Sequence, residues 1–133
     1  MKKRLTLSLL AGAALCLLAL QAPQAAEAPA DGVLKSWGDK ATKSPVNFSH
    51  KKHAAAECKA CHHEWDGKGP VKKCSDAACH NDMVEKKGEK SLYNAYHNMQ
   101  SPHSCMGCHR AAKKDNKPGG PVNCNDCHPP KAQ

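Results

Sequence analysis

Apolar residues gather at one end of this chain. Leu5 to Leu20 is an apolar run interrupted only by Thr6, Ser8 and small residues, and an alanine-rich stretch from Ala22 to Ala30 follows it. With Met1-Lys2-Lys3-Arg4 ahead of it, the pattern predicts a secretory signal peptide over residues 1–26, cleaved near Ala25 or Ala26. A membrane anchor fits less well, because the run is shorter than the ~20 residues of a spanning helix and no polar stop-transfer flank follows. No stable membrane insertion is therefore expected, and Cys16 reads as apolar filler. After residue 26 the polar positions take over. No long apolar face recurs, and Lys117-Pro118-Gly119-Gly120-Pro121 predicts a turn-rich break.

Composition sharpens the problem this poses. Residues 27–133 contain one Phe (Phe48), two Trp and two Tyr. A chain this poor in large apolar side chains normally stays disordered unless disulfides or metals hold it. Eight cysteines remain beyond the signal segment, so something covalent is expected to hold the fold together.

The cysteines fall into four pairs, each followed directly by histidine. Cys58-Lys59-Ala60-Cys61-His62, Cys105-Met106-Gly107-Cys108-His109 and Cys124-Asn125-Asp126-Cys127-His128 are C-x-x-C-H, and Cys74 to Cys79 with His80 is C-x₄-C-H. C-x-x-C-H is the attachment pattern of c-type haem. Two thiols add to the two vinyl groups on one porphyrin edge, and the next residue then lies over the ring with its imidazole within reach of the iron. A four-residue spacer lets the loop bulge while delivering the same three groups. Disulfides or tetrahedral zinc would use the same cysteines, but neither needs a histidine after every second one.

Each iron needs a sixth ligand, and five further histidines are present: His50, His53, His63, His97 and His103. Their number favours bis-histidine ligation at all four sites over ligation by Met83, Met99 or Met106. Low potentials and closed irons follow, which points to electron transfer and away from oxygen or peroxide chemistry. Because His62 and His63 are consecutive, the irons they ligate lie within roughly 17 Å of each other. His50 and His53, three residues apart, can serve two haems from one short segment. Ligands shared in this way predict a compact cluster of haems, not a linear wire. His103, two residues before Cys105 and just after Pro102, is expected to be the non-ligand.

These motifs resemble the tetrahaem cytochrome c3 family (class III c-type cytochromes) of sulfate-reducing bacteria, in its hydrogenase-linked type. The resemblance runs through Ala28-Pro29-Ala30-Asp31-Gly32, Pro45-Val46-Asn47-Phe48-Ser49-His50-Lys51-Lys52-His53, Cys58 to His63, the C-x₄-C-H site, and Tyr93-Asn94-Ala95-Tyr96-His97. It implies that residues 27–133 form one tetrahaem domain. In that domain His50 would pair with His62, His63 with His80, His53 with His109 and His97 with His128, leaving His103 free and placing Phe48 between the first and third haems. The fourth site is C-x-x-C-H, where other members have C-x₄-C-H. The fold class implied is mainly α with few secondary structures: a compact multihaem fold with a short N-terminal β pair, wrapped around four haems. An extended arm over 27–47 would pair Val33-Leu34 with Val46. Helical turns are expected over 53–62 and 75–87, and clearer helices near 90–99 and 104–114.

Charge refines the choice of partners. The whole chain carries a formal +8, and residues 27–133 carry +5. Eight haem propionates would bring this to roughly +1 oxidised and −3 reduced, so the basic residues matter by position and not as a global field. Lys72-Lys73, Lys86-Lys87-Lys90 and Lys113-Lys114-Lys117 lie near the second and fourth sites and suggest a docking patch for an acidic partner. By resemblance that partner is a periplasmic hydrogenase, with the fourth haem as the entry point and membrane-associated redox complexes as acceptors in anaerobic sulfate respiration. Nucleic acid is not expected as a partner, and a monomer is. A terminal reductase is the rival reading and would need an open iron; the spare histidines point instead to a non-enzyme, with metal reduction at most a side activity. Electron uptake would also draw protons to carboxyls near the irons.

Overall fold

The structure is a computed structural model and describes residues 27–34 and 41–130. Residues 1–26, expected to be a signal peptide, the part of the N-terminal arm over 35–40 and residues 131–133 lie outside the described residues. β1 (Gly32–Leu34) and β2 (Val46–Phe48) form a two-stranded antiparallel sheet. Gly32 pairs with Phe48, Val33 with Asn47, and Leu34 with Val46. Along β2 the half-buried Val46 and Phe48 flank the exposed Asn47, the period-2 alternation of a strand with one covered face. Three residues a side would not persist in isolation.

A 3₁₀ turn at Lys51–His53 follows, then α1 (Cys58–Cys61), α2 (Leu92–His97), α3 (Cys105–Lys114) and α4 (Cys124–Cys127). The strand pair and the two longer helices fall where the sequence places them. The stretch 75–87 does not form a helix. It is a chain of turns, because polar side chains there capture backbone groups locally. Asp76 accepts the Lys73 N–H at 2.9 Å, while Asp82 accepts the N–H groups of Val84 and Glu85 at 2.9 and 3.0 Å. Those two bonds hold the Asp82 carboxyl below the usual carboxylate range. α4 was not expected from the sequence; one helical turn is too short to show a period.

The interior is almost devoid of apolar side chains. Among the described residues Leu92 is the one buried hydrophobic, at 3% exposure, and its buried companions are Ser91 and Ser104. Both serines are N-caps. Ser91 Oγ accepts the Asn94 N–H and donates to the Glu85 carbonyl, and Ser104 Oγ accepts the Gly107 N–H and donates to the Asn98 carbonyl. Each hydroxyl thus starts a helix and ties the preceding loop to it. α3 ends in a left-handed residue, Asn116 (φ 53°), with the Lys117 N–H returning to the Ala112 carbonyl at 2.9 Å, a Schellman arrangement. Among the described residues, side-chain caps start α2 and α3, whereas a hydrophobic core is missing.

Candidate cofactor sites

The three C-x-x-C-H motifs share one local geometry. In α1, at the start of α3 and in α4 the two cysteines stand at i and i+3 of a helical turn, which puts both thiols on the same side of the backbone. In α1 and α4 the histidine that follows closes the turn, its N–H reaching the first cysteine's carbonyl at 2.8 Å (His62 to Cys58, His128 to Cys124). The longer second motif keeps this closure, since the His80 N–H reaches the Cys74 carbonyl, again at 2.8 Å. Its two additional residues are taken up by turns such as Cys79 N–H to Asp76 O. The histidine therefore keeps its station relative to the first cysteine whichever spacer is used.

The eight described cysteines form no disulfide with one another. Thiols from different motifs converge. Burial pushes the Cys105 thiol up to about 11, with Cys61 and Cys74 nearby pushing it further. The Cys74 thiol is raised by burial and then by Cys61 and Cys79. Tyr96, raised by burial, hydrogen-bonds Cys74, so the last turn of α2 is seated on the second motif.

The histidines meet in pairs. His53 and His109 face each other with centroids 6.1 Å apart and planes 15° apart, and His97 and His128 do so at 6.0 Å and 8°. His63 and His80 are 5.8 Å apart and tilted by 37°. Two imidazoles sharing one metal, each bound through nitrogen at ~2.0–2.1 Å, have centroids about 6 Å apart, so these spacings leave room for one iron between each pair. His50 and His62 are not in ring contact with one another among the described residues. Consecutive His62 and His63 diverge, His62 towards the Lys72 carbonyl and His63 towards His80.

Tautomer is set at most of these rings. A backbone carbonyl can only accept, so a ring nitrogen bonded to one carries the proton and leaves the other nitrogen as the base. The Nδ1–H donates to Ser49 O in His53 (2.8 Å), Lys72 O in His62 (3.0 Å) and Glu89 O in His80 (2.6 Å). It donates to Tyr93 O in His97 (2.9 Å), Pro121 O in His109 (2.9 Å) and Ser44 O in His128 (2.6 Å). Each of these six rings is left with Nε2 as the nitrogen that could bind a metal. His50 has its Nδ1 buried without a hydrogen-bond partner. It lies edge-on to Phe48 (4.8 Å, 89°), and the same Phe48 stacks on His53 (4.8 Å, 22°), so one aromatic holds two candidate ligands. Donor chemistry, spacing and thiol placement all fit haem c.

Sequence reasoning missed the carbonyl partners. It also missed Trp65, which closes the loop after the first motif through Lys68 O and Gly69 O, and the stack of Tyr93 on His97 (4.2 Å, 15°) with Lys86 Nζ over the outer ring. The four-residue spacing of Tyr93 and His97 on one helix was the available signal. Gly120 is a further case. A Cβ there would fall on the His109 imidazole, so the breaker sequence is also the bed of that ring. Gly120→Ala is expected to displace His109, changing the visible spectrum of one haem in the purified holoprotein; an unchanged spectrum would argue against this packing.

A family model for the class III cytochrome c family matches residues 23–128. A cytochrome c3 of Maridesulfovibrio salexigens is 55% identical over 109 residues, covering 79% of this chain and 98% of that protein. One from Desulfovibrio desulfuricans is 49% identical over 104 residues, covering 77% and 97%. Among solved structures, the di-tetraheme cytochrome c3 from Desulfovibrio gigas superimposes with a TM-score of 0.65 at 34% identity, covering 77% of this chain and 98% of that one. Cytochrome c3 from Desulfovibrio desulfuricans Essex 6 gives 0.59 at 34%, covering 79% and 100%. With the thiol pairs and facing imidazoles already in place, these matches show that the chain belongs to the class III cytochrome c family, multihaem electron carriers with covalently bound haem c.

Proposed function

We propose that the chain holds four haems, each between a motif histidine and a distal histidine, and works in the periplasm as a low-potential carrier. In this reading it takes electrons from a hydrogenase and passes them to membrane-associated redox complexes in anaerobic sulfate respiration. The facing histidine pairs carry the proposal: three of them are spaced for one iron, and five of those six rings have the proton fixed on Nδ1. Cys58, Cys61, Cys74, Cys79, Cys105, Cys108, Cys124 and Cys127 would anchor the haems. The fourth pairing, His50 with His62, completes the set by count and by resemblance.

When bound, haem supplies the one-electron iron couple, whose potential its axial ligands and surroundings set. The carbonyl bonds orient six of the imidazoles, and the paired histidines would hold each haem iron from both sides. Two imidazoles and no thioether favour low potentials. A pyridine haemochrome assay is the direct test: four haems per chain are expected, and two or none would overturn the proposal.

The lysines give the reading a direction. Lys90 Nζ is tied to the Ala78 carbonyl inside the second motif, Lys86 lies over Tyr93, and Lys117 pairs with Asp115 at 3.3 Å. The positive charges are thus anchored beside the second, fourth and third sites. Reduction by a hydrogenase should slow as ionic strength rises, and a rate independent of salt would remove the docking role. Proton coupling is the companion expectation. Reduction removes a positive charge and raises the pKa of a nearby buried carboxyl, so potentials fall as pH rises through that pKa. Constant potentials from about pH 5 to 9 would refute it.

A further inference from the structure

His103, the one histidine left over from the four pairs, lies in an exposed loop, yet its imidazole has specific partners. Its Nδ1–H donates to the carbonyl of Ala60, 43 residues away, at 2.9 Å. Ala60 is a spacer residue of the first attachment motif. One face of the same ring stacks on His63, with centroids 4.8 Å apart and planes 21° apart. His63 in turn faces His80. A residue two positions before Cys105 therefore touches both the first motif and the distal imidazole of the second site.

His63 is the ring that needs this support. Six of the candidate ligands are held by a backbone carbonyl, a partner with no side-chain freedom. His63 has only the adjacent Glu64 carboxylate, at 3.3 Å and on a side chain 80% exposed. Such a contact is weak and screened by salt. His50, the other ring without a carbonyl, lies against Phe48. Each of these two ligands is thus steadied by an aromatic face in place of a hydrogen bond to the backbone.

We propose that His103 is a positioning residue for the second haem: tied to Ala60, its ring fixes the plane of His63 and shields one face of that imidazole from water. This rests on the reading of His63 and His80 as an axial pair. The angle between two axial imidazole planes governs the splitting of the ferric iron's d orbitals and hence its electron paramagnetic resonance. Exposing the ligand to water favours the more highly charged ferric state and lowers the potential.

The test is a redox titration of the oxidised holoprotein followed by low-temperature electron paramagnetic resonance, with His103→Ala, His103→Phe and His103→Asn. In His103→Ala, one of four low-spin ferric signals should move and the potential of that haem alone should fall. His103→Phe keeps a ring face against His63 without the bond to Ala60, so it should restore the potential and part of the signal shift. His103→Asn keeps a donor for the Ala60 carbonyl without a ring and should not. If His103→Ala matches the parent, or Asn rescues where Phe fails, the positioning role is overturned. His63→Gly tests the underlying pairing separately. It should give one high-spin haem that added imidazole returns to low spin; four low-spin haems without imidazole would overturn the pairing, as would a high-spin haem in His103→Ala.

Discussion

Produced with all eight motif cysteines replaced by serine, residues 27–133 are expected to be unfolded, with a far-ultraviolet circular dichroism spectrum of random chain and a collapsed amide proton dispersion. The expectation follows from what the interior lacks. Leu92 is the sole fully buried apolar side chain among the described residues, and burying one such side chain contributes only ~1.5–3 kcal/mol. α1 and α4 are four residues long and α2 is six, well below the ~12–15 residues at which even favourable isolated helices become marginal. α3, with ten residues, is also too short to stand alone. Caps on Ser91 and Ser104 refine helix ends but cannot replace a core. In the proposed four-haem carrier, the cofactor would supply the apolar surface on which the chain folds. A cooperative thermal transition in the cysteine-free chain would contradict this.

The second large effect concerns a single ligand. In His97→Met, one of the four midpoint potentials is expected to rise by on the order of 0.1 V or more, within the ~0.8 V that axial ligation commands, while the other three move far less. His97 is the suitable position because its ring is well defined. It faces His128 at 6.0 Å and 8°, stacks on Tyr93, and donates Nδ1–H to the Tyr93 carbonyl one helical turn earlier. Methionine is unbranched and flexible enough to reach the same iron. A thioether favours the ferrous state relative to imidazole, so the sign is upward. Protein-film voltammetry of the variant beside its parent measures it. Four unchanged potentials would mean that His97 is not a ligand.

These two expectations mark how far the sequence could be read. The attachment motifs were visible because covalent chemistry demands a fixed local order, Cys before Cys before His. β1 and β2 were visible at Val33, Leu34 and Val46, and α2 and α3 appear within a few residues of the helices expected near 90–99 and 104–114. The stretch 75–87 misled because its lysines and alanines favour helix, while Asp76 and Asp82 draw backbone N–H groups into turns and Gly88 sits at φ 93°. α4 stayed hidden because a single turn has no period to detect. The carbonyl partners of the histidines were hidden for another reason. Ser49 and Tyr93 are four residues from the rings they hold, but Ser44 is 84 residues from His128 and Ala60 is 43 from His103. Such distances in the chain are fixed by the finished arrangement alone. His103 illustrates the cost: counting ligands left it over, and counting could not show what it leans on.

The bond from His128 to Ser44 has a consequence in time as well as in space. Ser44 belongs to the arm leading into β2, near the beginning of the described chain, whereas His128 follows its last cysteine pair. The arm precedes that histidine by 84 residues, so the carbonyl of Ser44 has its partner only after all four attachment motifs have been made. The carbonyl partners of the other three motif histidines lie much closer in the chain, 9 to 12 residues beyond each ring. The fourth motif's histidine is held only when the arm has folded back onto it, so shortening the arm should leave the first three attachment motifs intact and injure the fourth.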